Sequence, residues 1–355
     1  MSHTYSEILS QSSAWRTTLK ATVEQWAHAM KSLRLQPETQ FLMVGSGSSL
    51  HIARTAAHSL QEVTGHVARA VASSEIFLSS ASTVPTRAPV VAFLISRSGE
   101  TSEALIAADF LVKNFPNVVM VGITCNRDTK LERAAHHSIS LTHAAERSVV
   151  MTRSFTSMLL ALQVIAASVA ADEDLLRQLG RLPDLLVEQM SQFEQLSMSV
   201  GRNFNQDQFI YLGLGPYEGL AQEATLKLKE MTQTISEAYN PLEFRHGPIS
   251  IVRPGTTVVI LEGLREQPYM ADLESDLKRH GALVVAIAPY PSVSADVGLG
   301  LPGGLSDIAR CLLYMPALQL IAYHRALAAD LDPDQPRNLT QVVVLEDVDR
   351  AARNR

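Results

Sequence analysis

One pattern occurs twice in this chain and constrains its fold more than any other feature. FLMVGSGSSLHIARTAAHSL, beginning at Phe41, aligns without a gap to FIYLGLGPYEGLAQEATLKL, beginning at Phe209. Phe41 matches Phe209, Gly45 and Gly47 match Gly213 and Gly215, Ala53 and Ala56 match Ala221 and Ala224, and Leu60 matches Leu228. Each copy is an apolar run, a glycine turn and a helical pattern, the grammar of a parallel α/β unit. Further apolar runs follow each copy at nearly the same offset: Val90–Ile95 and Val118–Thr124 after the first, Thr256–Leu261 and Leu283–Ala288 after the second. None of them alternates polar with apolar residues, so both faces are expected to be buried. The economical reading is a duplicated, doubly wound α/β domain.

The rest of the chain falls around these lobes. The first 36 residues read as helix, with Trp26, Met30 and Leu33 at helical spacing and Pro37 as a stop. Leu186, Met190, Phe193, Leu196 and Val200 form an amphipathic stripe with Pro183 near its start, which predicts a helix linking the lobes. The expected division is an arm over 1–36, a first lobe over 37–171, a linker helix over 172–205, a second lobe over 206–330 and a tail over 331–355.

A chain of 355 residues suits two domains, and 46% hydrophobic against 19% charged residues supplies ample core. A formal charge of −6 argues against a nucleic-acid binder. Two cysteines, Cys125 and Cys311, exclude a disulfide framework and a cysteine-based zinc site. His136 and His137 are adjacent, and no HExxH pattern occurs, so no metal site is expected. The polar start MSHTYSEILSQ has no apolar signal core, and the apolar stretch Met158–Ala170 is broken by Gln163 and Ser168. A cytoplasmic protein is the expectation.

Two loops carry the binding chemistry. Gly45-Ser46-Gly47-Ser48-Ser49 joins a strand to a helix, where free backbone N–H groups, the helix dipole and serine hydroxyls favour a phosphate. Plain N-capping by serine is the competing reading. Ser96-Arg97-Ser98-Gly99-Glu100-Thr101 repeats the arrangement before a second helix, and Ser96, Ser98 and Thr101 can converge on one anion. Neither loop matches GxxxxGK[ST] or GxGxxG, so a phosphate monoester fits better than a nucleotide. Ser148 to Ser154, taken alone, reads as a solvated loop with a cap.

Glu223, Lys227 and Glu230 share one helix face. Helix grammar favours a surface ion-pair ladder; the alternative is a carboxylate base held near a lysine. His246, in Arg245-His246-Gly247-Pro248, sits in a rigid turn, where it either moves protons or bonds backbone. Asp334-Gln335-Pro336-Arg337-Asn338-Leu339 either punctuates the last helix or closes over a ligand.

SRSGET, LKLKE, RHGP and DQPRNL, in this order, resemble the sugar isomerase (SIS) family. EILSQ followed by Trp15, and LLYMPALQLIAYHRAL, add to the likeness, which covers nearly the whole chain. It is strongest to the isomerase half of glucosamine-6-phosphate synthase, while MTRSFTSM and PLEFRHGP also resemble the tagatose/galactosamine-6-phosphate isomerase–deaminase branch. The resemblance implies two tandem flavodoxin-like αβα sandwich domains, a dimer and no cofactor. It implies substrate binding by Ser48, Ser49, Ser96, Arg97, Ser98 and Thr101 with the backbone around Val149, and a sugar contact from Glu223. By the same likeness Glu230 moves the proton between sugar carbons one and two, Lys227 assists, and His246, offered to the partner subunit, helps open the ring. Residue 2 is Ser2 and no glutaminase domain is visible, so glutamine-driven synthesis is not expected; Gln341 stands where the synthase has an imine-forming lysine. The expected activity is a deaminating phosphosugar isomerase working through an enediol, with a simple isomerase of neutral sugar phosphates or a non-catalytic sensor as alternatives.

Overall fold

The computed structural model describes residues 2–290, 292 and 294–345. The first lobe is a five-stranded parallel sheet of β1 (Gln40–Gly45), β2 (Ala68–Ala72), β3 (Val90–Ile95), β4 (Val118–Thr124) and β5 (His137–Ser140), in the order β2-β1-β3-β4-β5. The second is built the same way from β6 (Gln208–Gly213), β7 (Ile235–Tyr239), β8 (Thr256–Leu261), β9 (Leu283–Ala288) and β10 (Val297–Gly300), in the order β7-β6-β8-β9-β10. In both sheets the order is second, first, third, fourth, fifth. Phe41 registers with Val91 and Phe209 with Thr257. β3 and β8 are buried along their whole length, as apolar runs covered by helices on both faces must be.

The lobes are fused through their inner faces. One continuous apolar cluster includes Phe41 and Phe93 of the first sheet, Phe209 and Tyr211 of the second, and most of helix Arg153–Ala170. That helix is long and apolar enough to cross a membrane by composition, but it is mostly buried in this core. The outer faces have separate clusters, around Leu94 and Leu111 in one lobe and Ile260 and Leu273 in the other. Between the lobes, helix Ser48–Thr64 crosses helix Glu218–Thr232 at Gly219, where a Cβ would stand 2.4 Å from the His51 carbonyl oxygen. The missing side chain lets the two backbones touch.

Two helices depart from their sequence patterns. The arm is two helices, His3–Leu9 and Gln11–Ala29, broken at Ser10 and followed by turns that fold Leu33 onto the core. The linker helix spans Glu173–Gly201 and begins ten residues before Pro183, at the Asp172 cap. Pro183 lies inside it and removes one backbone donor. Burial of Leu175, Leu179, Leu182, Leu186 and Phe193 along one stripe keeps the helix continuous.

Candidate functional site

A cavity of about 300 Å³ opens where the first lobe faces helix Glu218–Thr232. β1 delivers Ser46, Gly47, Ser48 and Ser49 to it, at the start of helix Ser48–Thr64. β3 delivers Arg97, Ser98 and Thr101, just before helix Ser102–Asn114. Two helix N-termini and their hydroxyls therefore converge on one space, which suits an anion. Ser98 Oγ accepts from the Glu100 N–H at 3.1 Å, leaving its own proton to donate. Ser96 is buried beneath the loop, with its hydroxyl 3.2 Å from Thr101 Oγ1.

Loop 146–152 forms the outer wall, contributing Val149 and Met151. Buried Glu146 accepts from the Thr152 N–H at 2.8 Å, Thr152 Oγ1 at 2.7 Å and the Ser154 N–H at 3.0 Å, and pairs with Arg97 at 3.4 Å. Arg97 also donates to the carbonyls of Ser148, Val149 and Gln341. Its charge is thus matched by Glu146, and its donors tie wall to tail. The tail closes the top with Leu339, Thr340, Gln341 and Val343. Gln341 Nε2 donates to the Arg147 and Ser148 carbonyls, at 2.7 and 3.1 Å.

Glu230 faces the cavity from the second lobe. Behind it Lys227, fully buried, bonds Glu230, lies 3.2 Å from Glu223 and reaches Ser48 Oγ at 3.4 Å. Ser48 Oγ also donates to Glu223 at 2.9 Å, so this ion cluster ties the two lobes together. Burial pushes Glu223 up to about 7 against the pull of Lys227. Burial disfavours the Lys227 ammonium too, but Glu223 and Glu230 outweigh it and its pKa is raised. Lys227 therefore stays charged at neutral pH and holds the Glu230 carboxylate toward the cavity.

The SIS domain family model matches residues 34–168 and 204–295. The chain belongs to the SIS family. Among its SIS relatives, a glutamine–fructose-6-phosphate aminotransferase (isomerizing) from Methanothermobacter thermautotrophicus is 27% identical over 340 residues, covering 93% of this chain and 56% of that protein. The chain thus spans about half the length of the first curated relatives it matches. A candidate D-galactosamine-6-phosphate deaminase from Streptomyces coelicolor is 26% identical, with 94% of this chain and 91% of that one covered. The crystal structure of a glucosamine-6-phosphate deaminase from Thermotoga maritima superimposes with a TM-score of 0.78 at 26% identity, covering 97% of this chain and 100% of that one.

Of the residues singled out from SIS likeness, Ser48, Ser49, Arg97, Ser98, Thr101, Val149 and Glu230 line the one cavity. Ser96, Lys227 and Glu223 lie behind its wall, each at most 2% exposed. Glu223 thus reaches Ser48 and Lys227 where a sugar contact was expected, and the ladder read as a surface feature is interior. His246 ends the short 3₁₀ turn Glu243–Arg245, exposed and outside the lining. Loop 148–154, expected to be solvated, is largely buried because Glu7 and Glu146 grip its backbone. Ser46 and Gly47 line the cavity as part of the GSGSS loop, and Met151 comes from the stretch expected to be solvated; Glu103 and the wall's Glu146 carry no local signal in the sequence.

Proposed function

We propose that the chain is a phosphosugar aldose–ketose isomerase, acting on a hexosamine 6-phosphate and releasing ammonia as the ketohexose 6-phosphate forms. The observation that carries this reading is the sharing of one small cavity by a hydroxyl-lined double helix terminus and a carboxylate, Glu230, held by a buried lysine. The first suits a phosphate monoester and the second a proton transfer at the far end of the same molecule. In this scheme Glu230 takes the proton from carbon two of the opened amino aldose and returns it to carbon one through a 2-amino enol; water then adds to the resulting carbon-two imine and expels ammonia, leaving the ketose. Lys227 acts through Glu230, bonding its carboxylate and keeping it aimed at the cavity. Phosphate binding positions the opened sugar chain, so the energy of a remote contact lowers the barrier at carbons one and two. His246, exposed on its turn, would serve the site of a second copy in a homodimer.

Support for the amino-sugar version comes from the relatives named as deaminases, one of which matches over nearly its whole length. Gln341 bears on the route: an amide cannot form an imine with the sugar carbonyl, which favours proton transfer on the free open chain. The test is an assay of glucosamine 6-phosphate and galactosamine 6-phosphate for ketose and ammonia, with Glu230→Gln beside the wild type. Loss of a general base lowers turnover by about 10²–10⁴-fold while binding persists. Full turnover by Glu230→Gln removes the centre of the proposal. Ketose formed from neutral sugar phosphates without ammonia from either hexosamine would establish the simple isomerase instead.

A further inference from the structure

The outer wall of the cradle is held by a carboxylate that the proposed reaction leaves unused. Glu7 lies on helix His3–Leu9 and is 4% exposed. Its Oε1 accepts from the Arg147 N–H at 2.6 Å, and its Oε2 accepts from the Ser148 N–H at 3.4 Å and from the Ser148 hydroxyl. One side chain thus takes three donors from two consecutive residues, some 140 positions away. Those two residues sit at the junction of the cradle. The Arg147 and Ser148 carbonyls hold the Gln341 side chain, the Ser148 and Val149 carbonyls hold Arg97, and Arg97 in turn holds the Gln341 carbonyl. Val149 itself lines the cavity.

We propose that Glu7 is a positioning residue for the phosphate end of the substrate. By gripping Arg147 and Ser148 from outside, it fixes the height of the Val149 backbone and of the Arg97–Gln341 bridge over the anion. The inference rests on the phosphosugar reading of the same cavity. A carboxylate suits the task because all its lone pairs accept. An amide has one accepting oxygen and would turn NH₂ donors toward donors, leaving buried N–H or O–H groups unpaired. The wall would then relax where it meets the phosphate, while Glu230, across the cavity, keeps its own support from Lys227.

The experiment compares wild type, Glu7→Gln, Glu7→Asp and Trp15→Phe. Trp15 Nε1 donates to Thr156 Oγ1 at 2.9 Å, so Trp15→Phe loosens the arm without removing a bond to Arg147 or Ser148. Calorimetric binding of inorganic phosphate, steady-state kinetics on the hexosamine 6-phosphates and thermal melting are read together. Glu7→Gln is expected to weaken phosphate binding about tenfold, the scale of one lost hydrogen bond to a charged group, and to raise KM to a similar extent, while kcat falls by no more than about twofold. Glu7→Asp, which keeps the charge, recovers part of the loss. Trp15→Phe lowers the Tm and leaves phosphate affinity alone. Unchanged phosphate affinity in Glu7→Gln, or an equal loss in Trp15→Phe, overturns the proposal. Should Glu7→Gln fail to fold, the same readings on Glu7→Asp decide it. A wild type that binds phosphate and sugar phosphate but turns neither hexosamine over defeats the isomerase reading and leaves the role of Glu7 to be judged on binding alone.

Discussion

The two lobes share strand order, register and the glycine turn after the first strand, yet among the described residues only the first presents an open, hydroxyl-lined anion cradle at that turn. In both turns the first glycine admits the following helix: a Cβ would stand 2.4 Å from the Ser49 backbone at Gly45 and 2.5 Å from the Tyr217 backbone at Gly213. In both, the second glycine has a positive φ, +57° at Gly47 and +60° at Gly215. The occupants differ. Where the first lobe has Ser48-Ser49, the second has Pro216-Tyr217, and the strand registers set Leu264 where the first lobe has Ser98. Tyr217 Oη donates to Asp307 at 2.9 Å, the Leu264 N–H donates to it at 3.1 Å, and Arg310 pairs with it at 2.8 Å. The second lobe thus meets its own donors with an internal carboxylate, and the first leaves them for a ligand. The same turn geometry thus occurs in both lobes, and in the second an internal carboxylate occupies it.

Asp307→Ala attacks the contrast hardest. It strands the buried guanidinium of Arg310, and unfolding free energy is expected to fall by about 3–5 kcal/mol in urea denaturation. If the carboxylate stands in for an external anion, sulfate should restore part of the loss in this variant and more than chloride at equal ionic strength. Equal recovery by both salts would reduce Asp307 to an ordinary ion-pair partner. In the first lobe, Ser98→Ala combined with Thr101→Val should weaken inorganic phosphate by about 1.5–3 kcal/mol, at least tenfold, with little change in Tm. A large drop in Tm with unaltered phosphate binding would mean that these hydroxyls serve the fold. Tyr217→Phe removes one donor from Asp307 and should lower stability by about 1.5 kcal/mol without moving phosphate affinity.

The most gradual expected effect, spread over several pH units, is in pH dependence. Burial, opposed by the Tyr290 hydroxyl and helped by Glu274, raises Glu262 to about 8; burial, helped by Asp307, raises Glu266 to about 7. A carboxyl with a raised native pKa keeps its proton folded where the unfolded chain, near 4.5, has lost it. Stability therefore declines as pH rises from about 4.5 to 8 and levels off above, by at most about 1.4 kcal/mol per pH unit for each group. Glu262→Gln should flatten that decline in Tm measured against pH. A profile identical to wild type would show that Glu262 ionises alike in both states.

Much of this was legible beforehand. The non-alternating apolar runs and the paired glycines carry the sheets, because both are local consequences of burial on two faces and of a tight turn. The SRSGET and GSGSS loops carry the cradle for the same reason. The ladder of Glu223, Lys227 and Glu230 shows why the rest was hidden. Its spacing is identical on a surface helix and an interior one. The close crossing at Gly219, 2.4 Å from the His51 carbonyl, is what draws Glu223 and Lys227 out of water. Likewise Glu146 and Glu7 turn a polar stretch into a buried wall, from positions no local pattern connects to it.

What the order of residues alone determined is periodic and near-neighbour: which runs become strands, where helices start, and which hydroxyls flank a turn. Those follow from backbone sterics and side-chain burial over a few residues. What only the folded chain decided is which charges lie in water and which meet across the lobes. A carboxylate's environment is set by everything packed within a few ångströms of it, most of which comes from distant parts of the chain.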